Sequence, residues 1–141
     1  MWDAIGAVSS ALSTVSVVAA LVFAARQVGE AKDSRAMTTL LAVHKECQSP
    51  TLNKIRRRLR AGDLGDLSQL TAEDRSDLTD LLQRYELVGF LVERGLVDLG
   101  DAKSIFPNLP KTYAKAWPYI EHRREQDADY AANLERLVQR Y

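Results

Sequence analysis

The sequence predicts an all-α protein: an N-terminal transmembrane helix continuing into a stalk, then a small helical bundle. Three observations predict it. Residues 4–25 carry no charged side chain. From there on, apolar residues recur at steps of three and four, and no segment sustains the period-two alternation of a strand. Pro, Gly and Ser/Thr/Asp stand where helices stop and start. The chain accordingly divides into a transmembrane helix over 1–25, a stalk helix over 26–48 and a cytosolic helical bundle over 49–141.

As a helix, residues 4–25 extend about 33 Å at ~1.5 Å per residue, against a bilayer core of about 30 Å. Trp2 suits the headgroup level and Arg26 can snorkel. A cleaved signal peptide is a competing reading, but no Lys or Arg precedes the apolar run. A buried core helix competes because Ser9, Ser10, Ser13, Thr14 and Ser16 dilute the apolarity. An oligomer-forming helix that never meets lipid is the third alternative. Gly6, Ser9, Ser10, Ser13, Ser16, Ala20 and Ala24 recur at helical steps, and such small residues allow close helix approach, so they are the expected association face. Positive charges follow the segment at Arg26, Lys32 and Arg35 and none precede it. The expected location is therefore a bacterial inner membrane, with the N-terminus outside and the C-terminal domain cytoplasmic.

The stalk carries Met37, Leu40, Leu41, His44 and Cys47 at helical spacing. Ser49-Pro50 ends it and starts the next helix, over about 50–61, with Leu52, Ile55 and Leu59 on one side and Gly62 as its stop. Residues 63–70 read as a loop. Thr71 and Asp74 form a capping box in which hydroxyl and carboxylate both satisfy free amides. The long helix that follows, about 72–94, has a stripe of Leu78, Leu81, Leu82, Tyr85, Val88, Gly89 and Val92, and Gly95 stops it. A short helix from about 98 reaches Phe106. Another, from about 110, carries Tyr113, Ala116, Trp117 and Ile120 and bends at Pro118. The last, about 129–140, carries Tyr130, Leu134, Leu137 and Val138. None of these soluble helices is long enough to stand alone, so their stripes pack on one another.

The 19 basic and 19 acidic residues cancel. That balance argues against a general nucleic-acid binder. The cancellation is uneven, since every Lys and Arg lies from Arg26 onward and only Asp3 among the acids lies before it. A single cysteine, Cys47, excludes an internal disulfide and fits a reducing compartment. The one dense cluster of cations is Lys54, Arg56, Arg57, Arg58 and Arg60. A helix folding back along the stalk would bring it toward an anionic leaflet, where each cation contributes about 1 kcal/mol, so it is the expected anionic-lipid contact.

Catalytic constellations are poor. His44 and Cys47 are i, i+3, but two ligands do not make a zinc centre. There is no phosphate-binding glycine loop and no nucleophile paired with a base. We expect no enzyme, no cofactor and no metal.

The stretch Tyr85-Glu86-Leu87-Val88-Gly89-Phe90-Leu91-Val92-Glu93-Arg94-Gly95-Leu96-Val97-Asp98 resembles the central E-x-x-G-x-L-x-x-x-G-x-[IVL]-x pattern of an uncharacterised bacterial family classed as a domain of unknown function. A short helix, Trp117, the pair Arg123 and Arg124, and a C-terminal helix with Tyr130 and Glu135 follow as in that family. The resemblance implies one N-terminal membrane helix and a cytosolic all-helical domain, and implies no activity. Within the pattern, Gly89 admits a neighbouring helix, Gly95 supplies a left-handed stop, and Glu86 is expected to pair with Arg123 or Arg124, or to meet Trp117, inside the bundle.

The leading functional expectation is a single-pass membrane-anchored scaffold or accessory module acting by self-assembly or protein contact, as a homo-oligomer or on a membrane-protein partner. One alternative is an oligomeric effector with a Ser-lined pore. Another is a soluble helical oligomer with its N-terminal helix buried. A small-molecule site near Glu86, Trp117 and Tyr119 is the enzyme-class reading.

Overall fold

In a computed structural model, the backbone is described for residues 2–141 and the side chains for residues 20–141. Among the described residues there are six helices and no strand: α1 (Trp2–Cys47), α2 (Pro50–Ala61), α3 (Ala72–Glu93), α4 (Leu99–Ile105), α5 (Leu109–Arg124) and α6 (Ala132–Gln139). The chain divides into two units, Met1–Arg35 and Ala36–Tyr141.

The transmembrane expectation is corrected here. Among the described residues no helix is long and apolar enough to cross a membrane. Where side chains are described, only residues 20–25 precede Arg26, and Glu30, Lys32, Asp33 and Arg35 follow. A span needs about 20 mostly apolar residues. The remainder of the expected span, residues 4–19, lies outside the described side chains. The membrane helix implied by the family resemblance falls with it. So do the membrane-anchored scaffold, the pore, the membrane partner and the inner-membrane location, whose orientation depended on a span to orient.

In the first unit, the side chains from Ala20 to Arg35 are all exposed. The second unit holds the core. The last turns of α1 contribute Leu40, Val43 and Cys47, and α2 contributes Leu52, Ile55 and Leu59. Helix α3 buries its whole predicted stripe and packs against α2, α4 and α6, while α2 also packs on α5. Each such Leu or Ile gives about 1.5–3 kcal/mol on full burial. The α1 stripe differs from expectation at one place: Leu41 is exposed and Val43 is buried.

The helix ends follow from local chemistry. Ser49 Oγ accepts from Leu52 N at the start of α2, where Pro50 opens the helix. Gly62, at φ 79°, stops α2 in the left-handed region where a side chain would be strained, and Gly95, at φ 64°, follows the end of α3 in the same way. Thr71 Oγ1 accepts from Asp74 N at 3.1 Å, but the Asp74 carboxylate is engaged elsewhere, by Arg58. The expected capping box is therefore only half formed. Helix α5 runs as one helix through Pro118.

Candidate functional site

Helix α2 buries Leu52, Ile55 and Leu59, and its cations divide around that stripe. Arg58 forms a two-pronged ion pair with Asp74 at the start of α3, and this hydrogen bond holds the Asp74 carboxyl below the usual carboxylate range. Lys54 and Arg57 are exposed, with Lys54 also on the Asp74 side. Arg56 and Arg60, one turn apart, take the opposite side. The expected anionic-lipid surface of Lys54, Arg56, Arg57, Arg58 and Arg60 is corrected accordingly. Helical geometry sends these residues to two faces, and one of the five is neutralised by a carboxylate.

Arg56 and Arg60 are held by neutral acceptors. Arg60 donates through Nε (3.1 Å) and Nη2 (2.9 Å) to Thr112 Oγ1, a fully buried hydroxyl that itself donates to Asn108 O. Arg56 Nη2 donates to Gln48 Oε1 at 3.1 Å and to Asn53 Oδ1. Gln48 Oε1 also accepts from Asn53 Nδ2, so the Gln48 amide nitrogen is the group facing His44 Nε2, 3.4 Å away. His44 Nδ1 is buried and has no hydrogen-bond partner. The His44 ring meets Phe106 edge-on at 5.3 Å, and Phe106 meets Tyr85 at 5.9 Å. Below them Cys47 is fully buried, and burial pushes its thiol up to about 11 against the opposing pull of Arg56.

Of these groups His44, Gln48, Arg56, Arg60, Tyr85, Phe106 and Asn108 line a cleft of about 220 Å³ formed by the end of α1, α2, Tyr85 of α3 and the turn between α4 and α5. Sequence reasoning took His44 as packing and passed over Gln48, Asn108 and Thr112. No spacing rule connects them; the turn from α1 into α2 and the packing of α2 on α5 do so. Among the described residues no group of three or more His, Cys, Asp or Glu could hold a metal.

The Glu86–Gly89 pair has a different setting. Glu86 Oε1 accepts from Asn133 N (3.0 Å) and Asn133 Nδ2 (2.7 Å), and Oε2 accepts from Leu134 N (2.7 Å). Its partners are amides at the start of α6, not an arginine. A Cβ on Gly89 would collide with the backbone carbonyl of Asn133, so the bare Cα is what lets α6 come this close. Arg124 pairs with Glu135 at 2.8 Å, donates to Tyr130 O and stands over the Trp117 ring at 5.3 Å. Arg123 stands over Tyr130.

The expected association residues Gly6, Ser9, Ser10, Ser13 and Ser16 lie outside the described side chains, while Ala20 and Ala24 are exposed. Close to them Leu21 (65%), Val22 (52%), Phe23 (64%) and Val28 (70%) are exposed large apolar residues.

A family model described as a domain of unknown function, DUF4760, matches residues 14–141. No curated protein and no solved structure matches the chain.

Proposed function

From the premise that the chain belongs to the DUF4760 family, whose description assigns no activity, we propose that it is a non-enzymatic helical contact module that self-associates through the first unit of α1. The observation that carries this reading is the exposure of Leu21, Val22, Phe23 and Val28 on a helix whose unit, among the described residues, contains no second element to cover them. Large apolar side chains grouped in this way mark contact surfaces rather than ordinary solvent-facing ones. A second copy of the same helix fits the pattern. Leu21, Ala24, Val28 and Ala31 recur at steps of three and four, with the small residues allowing close approach. Arg26, Glu30, Lys32, Asp33 and Arg35 supply both signs of charge beside the seam.

Sedimentation velocity of the full chain in detergent-free buffer tests this. A discrete oligomer is expected, and Leu21→Glu/Val28→Glu should shift it toward the 15.7 kDa monomer with helical circular dichroism retained. A wild-type monomer at tens of micromolar would overturn the proposal, as would an oligomer indifferent to the double substitution.

A further inference from the structure

Two cations face the cleft beside α2 without a carboxylate to offset them. Arg56 and Arg60 are absent from the ion pairs of the described residues, and no Asp or Glu lines the cleft. Each guanidinium is positioned by neutral oxygens instead: Thr112 for Arg60, Gln48 and Asn53 for Arg56. A neutral acceptor fixes the direction of a cation and leaves its charge available. Ordering two long side chains normally costs rotamer entropy on binding, and here folding has already met that cost. The guanidinium forks retain unused N–H groups suited to the oxygens of an oxyanion. One further polar group is unspent: the Asn108 carboxamide stands at the start of α5 without forming a cap hydrogen bond. Ile105, Pro107 and Leu109 add an apolar part to the lining.

We propose that this cleft binds a small phosphate monoester, with Arg56, Arg60 and Asn108 on the phosphoryl oxygens and the organic group against Ile105, Pro107 and Leu109. Charge selects the phosphoryl group over a carboxylate. A phosphate monoester approaches two negative charges near neutral pH, matching two uncompensated cations, whereas a carboxylate brings one. The apolar part of the lining selects an ester over the bare ion, because inorganic phosphate would leave it in water. The volume, about 220 Å³, has room for a phosphoryl group with one small ring or chain.

Phenyl phosphate is the probe, titrated calorimetrically into the full chain at constant ionic strength, with inorganic phosphate and benzoate in parallel. Saturable one-to-one binding of phenyl phosphate is expected, several-fold tighter than either comparator. Arg60→Gln should weaken it by about tenfold or more, as expected when a charged hydrogen bond is lost. Arg57→Gln, an exposed cation on the same helix, should leave it unchanged. Because Arg60 also anchors on Thr112, its loss could loosen the fold, and Asn108→Asp avoids this. An aspartate there can cap α5, which keeps or raises stability, yet it puts a carboxylate in the cleft and should abolish binding. Absence of saturable binding to the wild type overturns the proposal. So does an equal loss in Arg57→Gln, or tight binding that survives Asn108→Asp.

Discussion

Helix α6 starts at a residue that cannot cap it. Ala131 has no side-chain oxygen and stands in the left-handed region at φ 59°, which costs a non-glycine residue roughly 1–2 kcal/mol. The missing acceptor is supplied from another helix, by Glu86. Its carboxylate collects two backbone amides and one side-chain amide, and its charge suits the positive end of the α6 dipole. Glu86→Ala should lower stability by about 1.5–3 kcal/mol, the range for hydrogen bonds to a charged group, read from urea denaturation midpoints. Glu86→Gln should cost less, since one amide oxygen still accepts. A loss in Gln as large as in Ala would mean that charge alone matters. No loss in either would remove Glu86 from the account of α6. The sequence singled out Glu86 as a buried acid needing a donor but assigned it an arginine. A side chain that caps a helix more than 40 residues downstream leaves no local trace, because the pairing exists only once α3 and α6 have docked.

At the scale of elements, the helix boundaries were legible and the inter-helix bonds were not. Pro50, Gly62, Thr71 and Gly95 act within one turn of themselves, so their effects can be read along the chain. The Asp74 carboxylate shows the limit. Read locally it completes a capping box, yet in the fold it leaves that role to join Arg58 of α2, and so ties two helices instead of finishing one. Gly89 belongs to the same class of inter-helix feature. It was recognisable as a place where another helix could approach, and the structure identifies that helix as α6. A methyl group there meets backbone rather than a yielding side chain, so α6 must move. Gly89→Ala should destabilise by about 1–3 kcal/mol despite the better helix propensity of alanine. Hydrogen exchange should show the loss as local. Amides of 132–139 should lose protection while the middle of α3 keeps it. Uniform loss across all helices would mean that α6 is not a separable element but part of one cooperative unit.

Across the whole molecule, burial of acidic hydroxyl and thiol groups sets an alkaline limit on the bundle. Cys47 is the last residue of α1, Tyr130 precedes α6 and Tyr141 is the last residue, and all three belong to the second unit. Desolvation pushes Cys47 up from 9.0 to about 11, and Tyr130 and Tyr141 up from 10.0 to about 12. Tyr141 gives the clearest local reason. Its hydroxyl donates toward Ala102 O and Phe106 O, both at 3.2 Å, and a phenolate there would face two carbonyl oxygens with no proton to share. In each case the folded state binds the proton more tightly than the unfolded chain. The resulting stability is fully present below the unfolded values, near pH 9 to 10, and is lost as pH rises through the folded values of about 11 to 12. Thermal melts followed by circular dichroism should therefore be nearly flat from neutral pH to about 9 and fall steeply above 10 as far as these groups control them. Tyr141→Phe should lower the melting temperature at neutral pH, by losing the hydroxyl contacts, and should flatten its decline between pH 10 and 12. The native Cys47 thiol should react slowly with an aromatic disulfide at pH 8 and rapidly once the chain is unfolded in urea. Tyrosine absorbance titrating wholly at its ordinary value of 10 in the folded protein would contradict this account, and so would a melting temperature that does not change through pH 11.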